Sequence, residues 1–265
     1  MREKGLGVCA ISCDSEEILR NFAGRASISY PLLSDWNSKV IRKFGIMNNT
    51  IPADQPAYGV PFPGTYLVDD KGIVVSKFFE EDYRDRTSIG TVLTKCFKSR
   101  LNTKQMRLKL DHATVVYYAS SDTAYSGNRI SLIAELKLPA GIHVYAPGVQ
   151  GYRPVKWELT SSLGFTQQPL LYPEPKVMHL EAIKETVPVF TGDFRIVQDV
   201  IVTPNPLALP RALTPNGDLI IEAVFQYQAC DEKTCFFPQT VPLRWVIKIL
   251  DLDTQRVPES LRKVP

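Results

Sequence analysis

Leu219-Ile220-Ile221-Glu222-Ala223-Val224-Phe225-Gln226-Tyr227-Gln228-Ala229-Cys230 runs into Asp231-Glu232-Lys233-Thr234-Cys235-Phe236-Phe237-Pro238, and this stretch decides the fold. Leu219, Ile221, Ala223, Phe225, Tyr227 and Ala229 take every second position, the period of a β-strand with one face buried. Val241, Leu243, Trp245, Ile247 and Ile249 repeat the pattern beyond the cysteines. Two such strands around a polar turn make a hairpin. Further upstream, Ile130, Leu132, Ala134, Leu136 and Leu138 alternate in the same way, and Pro204, Pro206, Pro210 and Pro215 punctuate the loop before the hairpin. Many short strands between Pro and Gly predict an antiparallel β-sandwich.

Asp231 to Thr234 are all polar, which places the cysteine pair on an exposed turn. A disulfide there closes a ring of about six residues, which the chain-entropy model values at about 2 kcal/mol. A bond that adds so little can open without unfolding the domain, which favours chemistry over stapling. Thiol–disulfide exchange needs an accessible sulfur and a thiolate. Tyr227, Phe236 and Phe237 flank the pair and are expected to shield the sulfurs while leaving one edge open. Lys233 favours a thiolate, whereas Asp231 and Glu232 oppose it. A structural disulfide, or two inert core thiols, stays open as the alternative.

The first part of the chain has a different grammar. Gly7 to Cys13 is a short apolar run expected as a buried strand. Asp14-Ser15-Glu16-Glu17 offers a cap and an acidic first turn to a helix carrying Ile18, Leu19 and Phe22. Ser38 to Phe44 is a second helix ended by Gly45. Gly64 to Phe79 predicts a hairpin turning at Asp70-Lys71-Gly72, and Thr87 to Phe97 a closing helix. Alternating strands and helices imply an α/β layer. Residues 98–111, with Lys98, Arg100, Lys104, Arg107 and Lys109, are expected to be a linker.

Composition narrows the function. Lys and Arg total 31 against 28 Asp and Glu, a formal net charge of +3. This balance, without a basic run, argues against nucleic acid as a partner. No apolar run approaches the roughly 20 residues of a membrane helix, so no membrane insertion is expected. Residues 1–5 carry no signal-peptide core. The five cysteines (Cys9, Cys13, Cys96, Cys230 and Cys235) are too few and too uneven for a disulfide scaffold. His112, His143 and His179 are scattered, and no Cys/His group has zinc-ligand spacing, so neither a metal nor a cofactor is expected.

Tyr227-Gln228-Ala229-Cys230, the polar spacer, Cys235, Pro238 and Val241-Pro242-Leu243 resemble the active-site hairpin of the amino-terminal domain of the thiol:disulfide interchange protein DsbD family. The resemblance runs over roughly residues 110–250. It implies an immunoglobulin-like sandwich whose cysteine pair takes electrons from a membrane-embedded donor and passes them to extracytoplasmic thioredoxin-like proteins. It also implies an extracytoplasmic location and a mild preference for Cys235 as the partner-facing thiol. Gly141-Ile142-His143-Val144-Tyr145 resembles the family strand whose aromatics face the cysteines. His143 is thereby a pocket candidate or a packed histidine, and Tyr145 a pocket or core residue. His179 to Glu185 falls where the family carries a cap loop, with aliphatic Leu180 and Ile183 in place of the cap aromatic; His179 is expected in a loop.

Gly7 to Ser15, Tyr30-Pro31-Leu32-Leu33-Ser34-Asp35, and Pro63 to Asp69 followed by Lys71-Gly72 resemble the redoxin or peroxiredoxin family of the alkyl hydroperoxide reductase/thiol-specific antioxidant type. That resemblance covers about residues 3–97 and implies a thioredoxin fold, with Pro63 or Pro61 as the cis-proline facing the active site. The family's reactive cysteine lies before the matched region, so the domain is expected to be incomplete and its nucleophile to lie upstream of residue 1. Cys9, Cys13 and Cys96 are expected as small packing residues.

The expected architecture is an incomplete α/β thioredoxin-like domain over residues 1–97, a linker over 98–111, an all-β immunoglobulin-like sandwich over 112–252 and a tail over 253–265. The expected function is thiol:disulfide exchange through Cys230 and Cys235 with thioredoxin-like proteins or a membrane electron donor, and with the chain's own redoxin domain as a further candidate. The alternatives are a fragment of a peroxiredoxin-like thiol peroxidase and a non-catalytic interaction module pinned by a structural disulfide.

Overall fold

The computed structural model describes residues 5–55, 57–80, 84–97, 102–180 and 184–261. They divide into two compact units. One gathers the described residues of 1–65, 79–83 and 253–265, the other those of 66–78 and 84–252.

In the first unit, β1 (Ala10–Ser12) and β2 (Leu32–Ser34) pair in parallel, with Ile11 opposite Leu33. The connection between them is α1 (Glu16–Arg25). The Ser15 hydroxyl caps α1 by accepting from the Ile18 amide, and Glu16 and Glu17 sit where the helix dipole favours acids. Ile18 and Leu19 are buried, whereas Phe22 is 40 % exposed. α2 (Lys39–Lys43) is served by the Asp35 carboxylate, which accepts from the amides of Lys39 at 2.9 Å and Ile41 at 2.8 Å. Gly45 ends it at φ +67, in the left-handed region. The C-terminal segment is tied down rather than trailing, because Arg25 pairs with Asp253 at 2.9 Å and also donates to the Gln255 carbonyl.

Two sequence expectations are corrected here. Cys13 is buried as a small packing residue, but Cys9 is exposed, since it lies before the paired residues of β1. No described peptide bond is cis, so both Pro61 and Pro63 are trans. Pro61 forms an antiparallel bridge with Met47, and the Pro63 carbonyl accepts from the Glu80 amide. Both sit in extended, strand-like pairing that the trans chain satisfies. Next come β3 (Gly64–Val68) and β4 (Val74–Phe79), paired in a two-stranded sheet. The Asp69 carboxylate closes their turn by accepting from the Lys71 and Ile73 amides at 3.0 and 2.8 Å.

The second unit holds the sandwich. Its larger sheet runs in the order β12 (Phe165–Leu171), β15 (Asp193–Val202), β9 (Asn128–Lys137), β7 (Ala113–Ala119) and β6 (Met106–Leu110), with β5 (Arg86–Thr87) also pairing with β9. The opposing sheet is β11 (Lys156–Leu159), β16 (Asp218–Tyr227), β18 (Gln239–Ile249) and β8 (Thr123–Ala124). A short helix, α4 (Leu209–Ala212), precedes β16. Leu219, Ile221, Ala223, Phe225 and Tyr227 of β16 meet Ile130, Leu132, Ala134 and Leu136 of β9 in one continuous core. Trp245 belongs to it, edge-on to Tyr117 at 5.4 Å and to Trp157 at 5.7 Å. This is the antiparallel sandwich that the alternation predicts, of the immunoglobulin-like kind that the resemblance implies.

The boundary between the two grammars lies elsewhere than the sequence predicts. α3 (Ile89–Phe97), expected to close the first domain, packs on β9 in the second unit. Thr91 Oγ1 lies 3.2 Å from Ser120 Oγ, and Lys95 reaches the buried Asp199 carboxylate at 2.6 Å. Ser131 donates to the same carboxylate at 2.7 Å. Residues 106–110, expected within the linker, form β6, whose Leu108 and Leu110 pack on the core while Arg107 and Lys109 alternate with them.

Candidate active site

A third, small sheet carries the cysteines. It consists of β13 (Lys176–Leu180), β14 (Glu185–Thr191), β10 (His143–Tyr145) and β17 (Ala229–Cys230). After Tyr227 the chain leaves β16 and pairs as β17 with β10, which sets Cys230 directly opposite His143. Tyr145, two residues along, stands opposite Val189 of β14. Because side chains alternate across a strand, His143, Tyr145 and Cys230 share one face.

Cys230 and Cys235 form a disulfide and also an antiparallel backbone bridge. The turn between them is held by Asp231, whose carboxylate accepts from the amides of Lys233 at 2.7 Å and Thr234 at 2.6 Å. Those two amides hold the Asp231 carboxyl below the usual range, the Lys233 amide first. The two cysteines differ in exposure. Cys230 is 1 % exposed, whereas Cys235 is exposed to solvent.

Around Cys230 gather Tyr145, Val187 and Val189, with Met178, Val149 and Tyr152 packed against them. The Tyr145 hydroxyl lies 3.5 Å from the Cys235 sulfur, within hydrogen-bond reach. Its ring stacks on Tyr152 at 4.4 Å, and Tyr152 donates to Glu185 at 3.0 Å. Burial pushes the Tyr145 hydroxyl up from its ordinary value, and Tyr152 and Glu185 add to the effect. Tyr145 therefore stays protonated at neutral pH and can donate. His143 is 2 % exposed and lies edge-on to Tyr145 at 5.6 Å. Desolvation pushes its imidazole below the ordinary value, and the Asp231 charge works against that.

Of the residues expected to shield the pair, the structure brings His143 and Tyr145 beside it. Tyr227 points instead into the main sandwich core, where its hydroxyl donates to the Asp111 carbonyl at 2.6 Å. Burial, and then Asp111, push that hydroxyl up to about 12. Phe236 stacks on His112 at 3.7 Å and packs on the same core. Phe237 is 90 % exposed. The strand period explains this: Tyr227 belongs to the inward face of β16, not to the face that β17 presents. His179 lies in β13 rather than in a loop, with its Nδ1 3.0 Å from Thr186 Oγ1. Ile183 and the Leu180 side chain fall outside the described residues. Val187, Val189 and Tyr152, the actual neighbours of Cys230, were not singled out by sequence. The alternation in Glu185-Thr186-Val187-Pro188-Val189-Phe190 was the signal for the two valines.

Comparison with known proteins meets both resemblances. Residues 115–243 match the family described as thiol:disulfide interchange protein DsbD, N-terminal, and residues 1–77 match the AhpC/TSA family. No curated protein matches the chain. Among solved structures, the N-terminal periplasmic domain of ScsB from Proteus mirabilis is 14 % identical, with a TM-score of 0.34. That match covers 54 % of this chain and 49 % of the other, so the chain spans about half the length of that relative. The DsbD N-terminal domain of Neisseria meningitidis, in the reduced form, is 10 % identical over 43 % of this chain and 74 % of its own, with a TM-score of 0.30.

Proposed function

We propose that this protein is a thiol:disulfide oxidoreductase that exchanges electrons with thioredoxin-like proteins through Cys230 and Cys235. The observation that carries the reading is the asymmetry of the pair: Cys235 is an exposed residue of the turn, and Cys230 is enclosed by the small sheet. Exchange needs both, an accessible sulfur to meet the partner and a protected one to resolve the intermediate. In the reduced protein the Cys235 thiolate attacks a partner disulfide, and the sulfur that leaves carries off the electron pair. Cys230 then attacks Cys235 Sγ, the mixed disulfide breaks, and the partner departs as a dithiol. Tyr145 donates to Cys235 and stabilises its thiolate. The reverse sequence reloads the pair from a donor, for which the resemblance implies a membrane electron donor.

A dithiothreitol titration tests the reading. The pair should equilibrate at a potential within roughly −120 to −270 mV, the span of known thiol–disulfide catalysts. A potential below roughly −300 mV marks a structural bond and overturns it. The Cys230→Ser/Cys235→Ser double variant should not pass electrons to an oxidised thioredoxin-like acceptor.

A further inference from the structure

His143 is the one buried imidazole beside the disulfide, and among the described residues its Nε2 has no hydrogen-bond partner. A buried polar atom without a partner costs about 1–3 kcal/mol, and a redox or catalytic role in a second state of the molecule is one reason for a fold to retain it. The second state here is the reduced pair. His143 and Cys230 are register partners on adjacent strands, with side chains on the same face and Cβ atoms about 4.5–5.5 Å apart. In the disulfide, Cys230 carries no proton. Once reduced, it presents an S–H group in a desolvated site where an ordinary thiol resists ionising.

We propose that His143 is the base that deprotonates Cys230 in the resolving step of exchange. The inference rests on the function proposed above and assigns a step within it. With the partner held as a mixed disulfide on Cys235, the Cys230 proton moves to the imidazole. The Cys230 thiolate attacks Cys235 Sγ, the bond between Cys235 and the partner sulfur breaks, and the Cys230–Cys235 bond forms. The partner sulfur leaves with the electron pair, and the imidazolium releases its proton to that thiolate or to water. The protein dithiol is oxidised by two electrons and the partner disulfide is reduced by two. Burial supports the assignment, because it keeps the imidazole neutral near pH 7 and ready to accept. The groups that face it are Tyr145 on its own strand, Cys230 and Asp231 on the hairpin, and Thr191 on β14, which receives a bond from Lys176. Asp231 is the carboxylate positioned to stabilise the imidazolium that forms.

Dithionitrobenzoate separates the two steps. Added to the reduced protein, it reacts at the exposed Cys235 and releases one thionitrobenzoate, and closure by Cys230 releases the second. In a His143→Gln variant the first phase should keep its rate. The second should slow about 100-fold at pH 7, at the lower end of general-base effects. The variant's second phase should climb with pH toward the thiol's own ionisation, whereas the parent's should level off at the imidazole titration. An unchanged second phase, or equal slowing of both, overturns the assignment and leaves the proposed function standing. A parent protein that releases one thionitrobenzoate and never the second overturns both. If the variant does not fold, the parent decides. Its second-phase midpoint must coincide with the His143 titration followed by NMR, and a mismatch overturns the assignment.

Discussion

Tyr145 joins the small sheet to the Cys235 sulfur, and removing one oxygen isolates its effect. A hydrogen bond of this kind is worth about 1 kcal/mol net, which is about 0.7 pKa units of thiolate stabilisation. The Tyr145→Phe variant should therefore raise the Cys235 thiol pKa by about that amount without unfolding the sheet. The pH dependence of iodoacetamide alkylation in the reduced protein reads it directly, and an unmoved profile removes Tyr145 from the chemistry. His143 makes a separate prediction in the oxidised protein. Its folded pKa lies below the usual value of about 6.5, so the fold favours the neutral ring. As pH falls from 7 toward 5, the unfolded chain takes up a proton that the folded chain resists, and stability declines. Denaturant unfolding at the two pH values should show a shallower decline for His143→Gln than for the parent. At this scale the sequence singled out the cysteines as a close pair, because their chemistry travels with residue type, and left His143 between a pocket residue and a packed one. It did not show which aromatics cover the sulfurs. Tyr227 is two residues from β17 in the chain but points to the opposite side, where the core takes it.

The elements tell the same lesson through α3. Its helical pattern was legible, and its partner was not, because alternation and cap signals are local and docking is not. The docking depends on Gly90: a Cβ there would stand 1.9 Å from the Ser120 carbonyl oxygen, a backbone atom that cannot move aside cheaply. Gly90→Ala should lift α3 from β7 and β9 and cost about 1–3 kcal/mol, the range for overpacking a close contact. The measurement is the midpoint of urea unfolding, with a control at Gly24, where a Cβ meets nothing within 4 Å. Equal effects at both glycines would show that the close approach does not matter. β6 was hidden for a related reason. Leu108 and Leu110 keep the strand period, but Arg107 and Lys109 between them give the segment the composition of a linker. The pairing of β16 and β18, by contrast, was legible in their alternation, although the pattern runs on to Ala229, where the chain has already left β16 for β17.

Across the whole molecule, stability is distributed unevenly, and the cysteine pair sits away from most of it. The sandwich core runs through both large sheets without Cys230, which belongs to the small cluster around Tyr145 and Val189. Reduction should therefore loosen the hairpin tip and leave the sandwich intact, at a cost near the 2 kcal/mol of a short closed ring. The first unit is thinner. Its parallel pair has two strands of three residues each, and Ile11, Leu33, Trp36, Val40 and Phe44 are exposed. Amides whose opening breaks few buried contacts exchange through small local fluctuations, and those in a continuous core wait for global unfolding. Native-state hydrogen exchange on the oxidised and reduced protein puts both statements at risk together. Amides of β9, β15, β16 and β18 should stay protected in either redox state, those of β1 and β2 should exchange faster in both, and those of β10 and β17 should lose protection on reduction. Loss of protection throughout the sandwich on reduction would mean that the disulfide holds the fold, and exchange through Cys230 and Cys235 would then be incompatible with a folded protein.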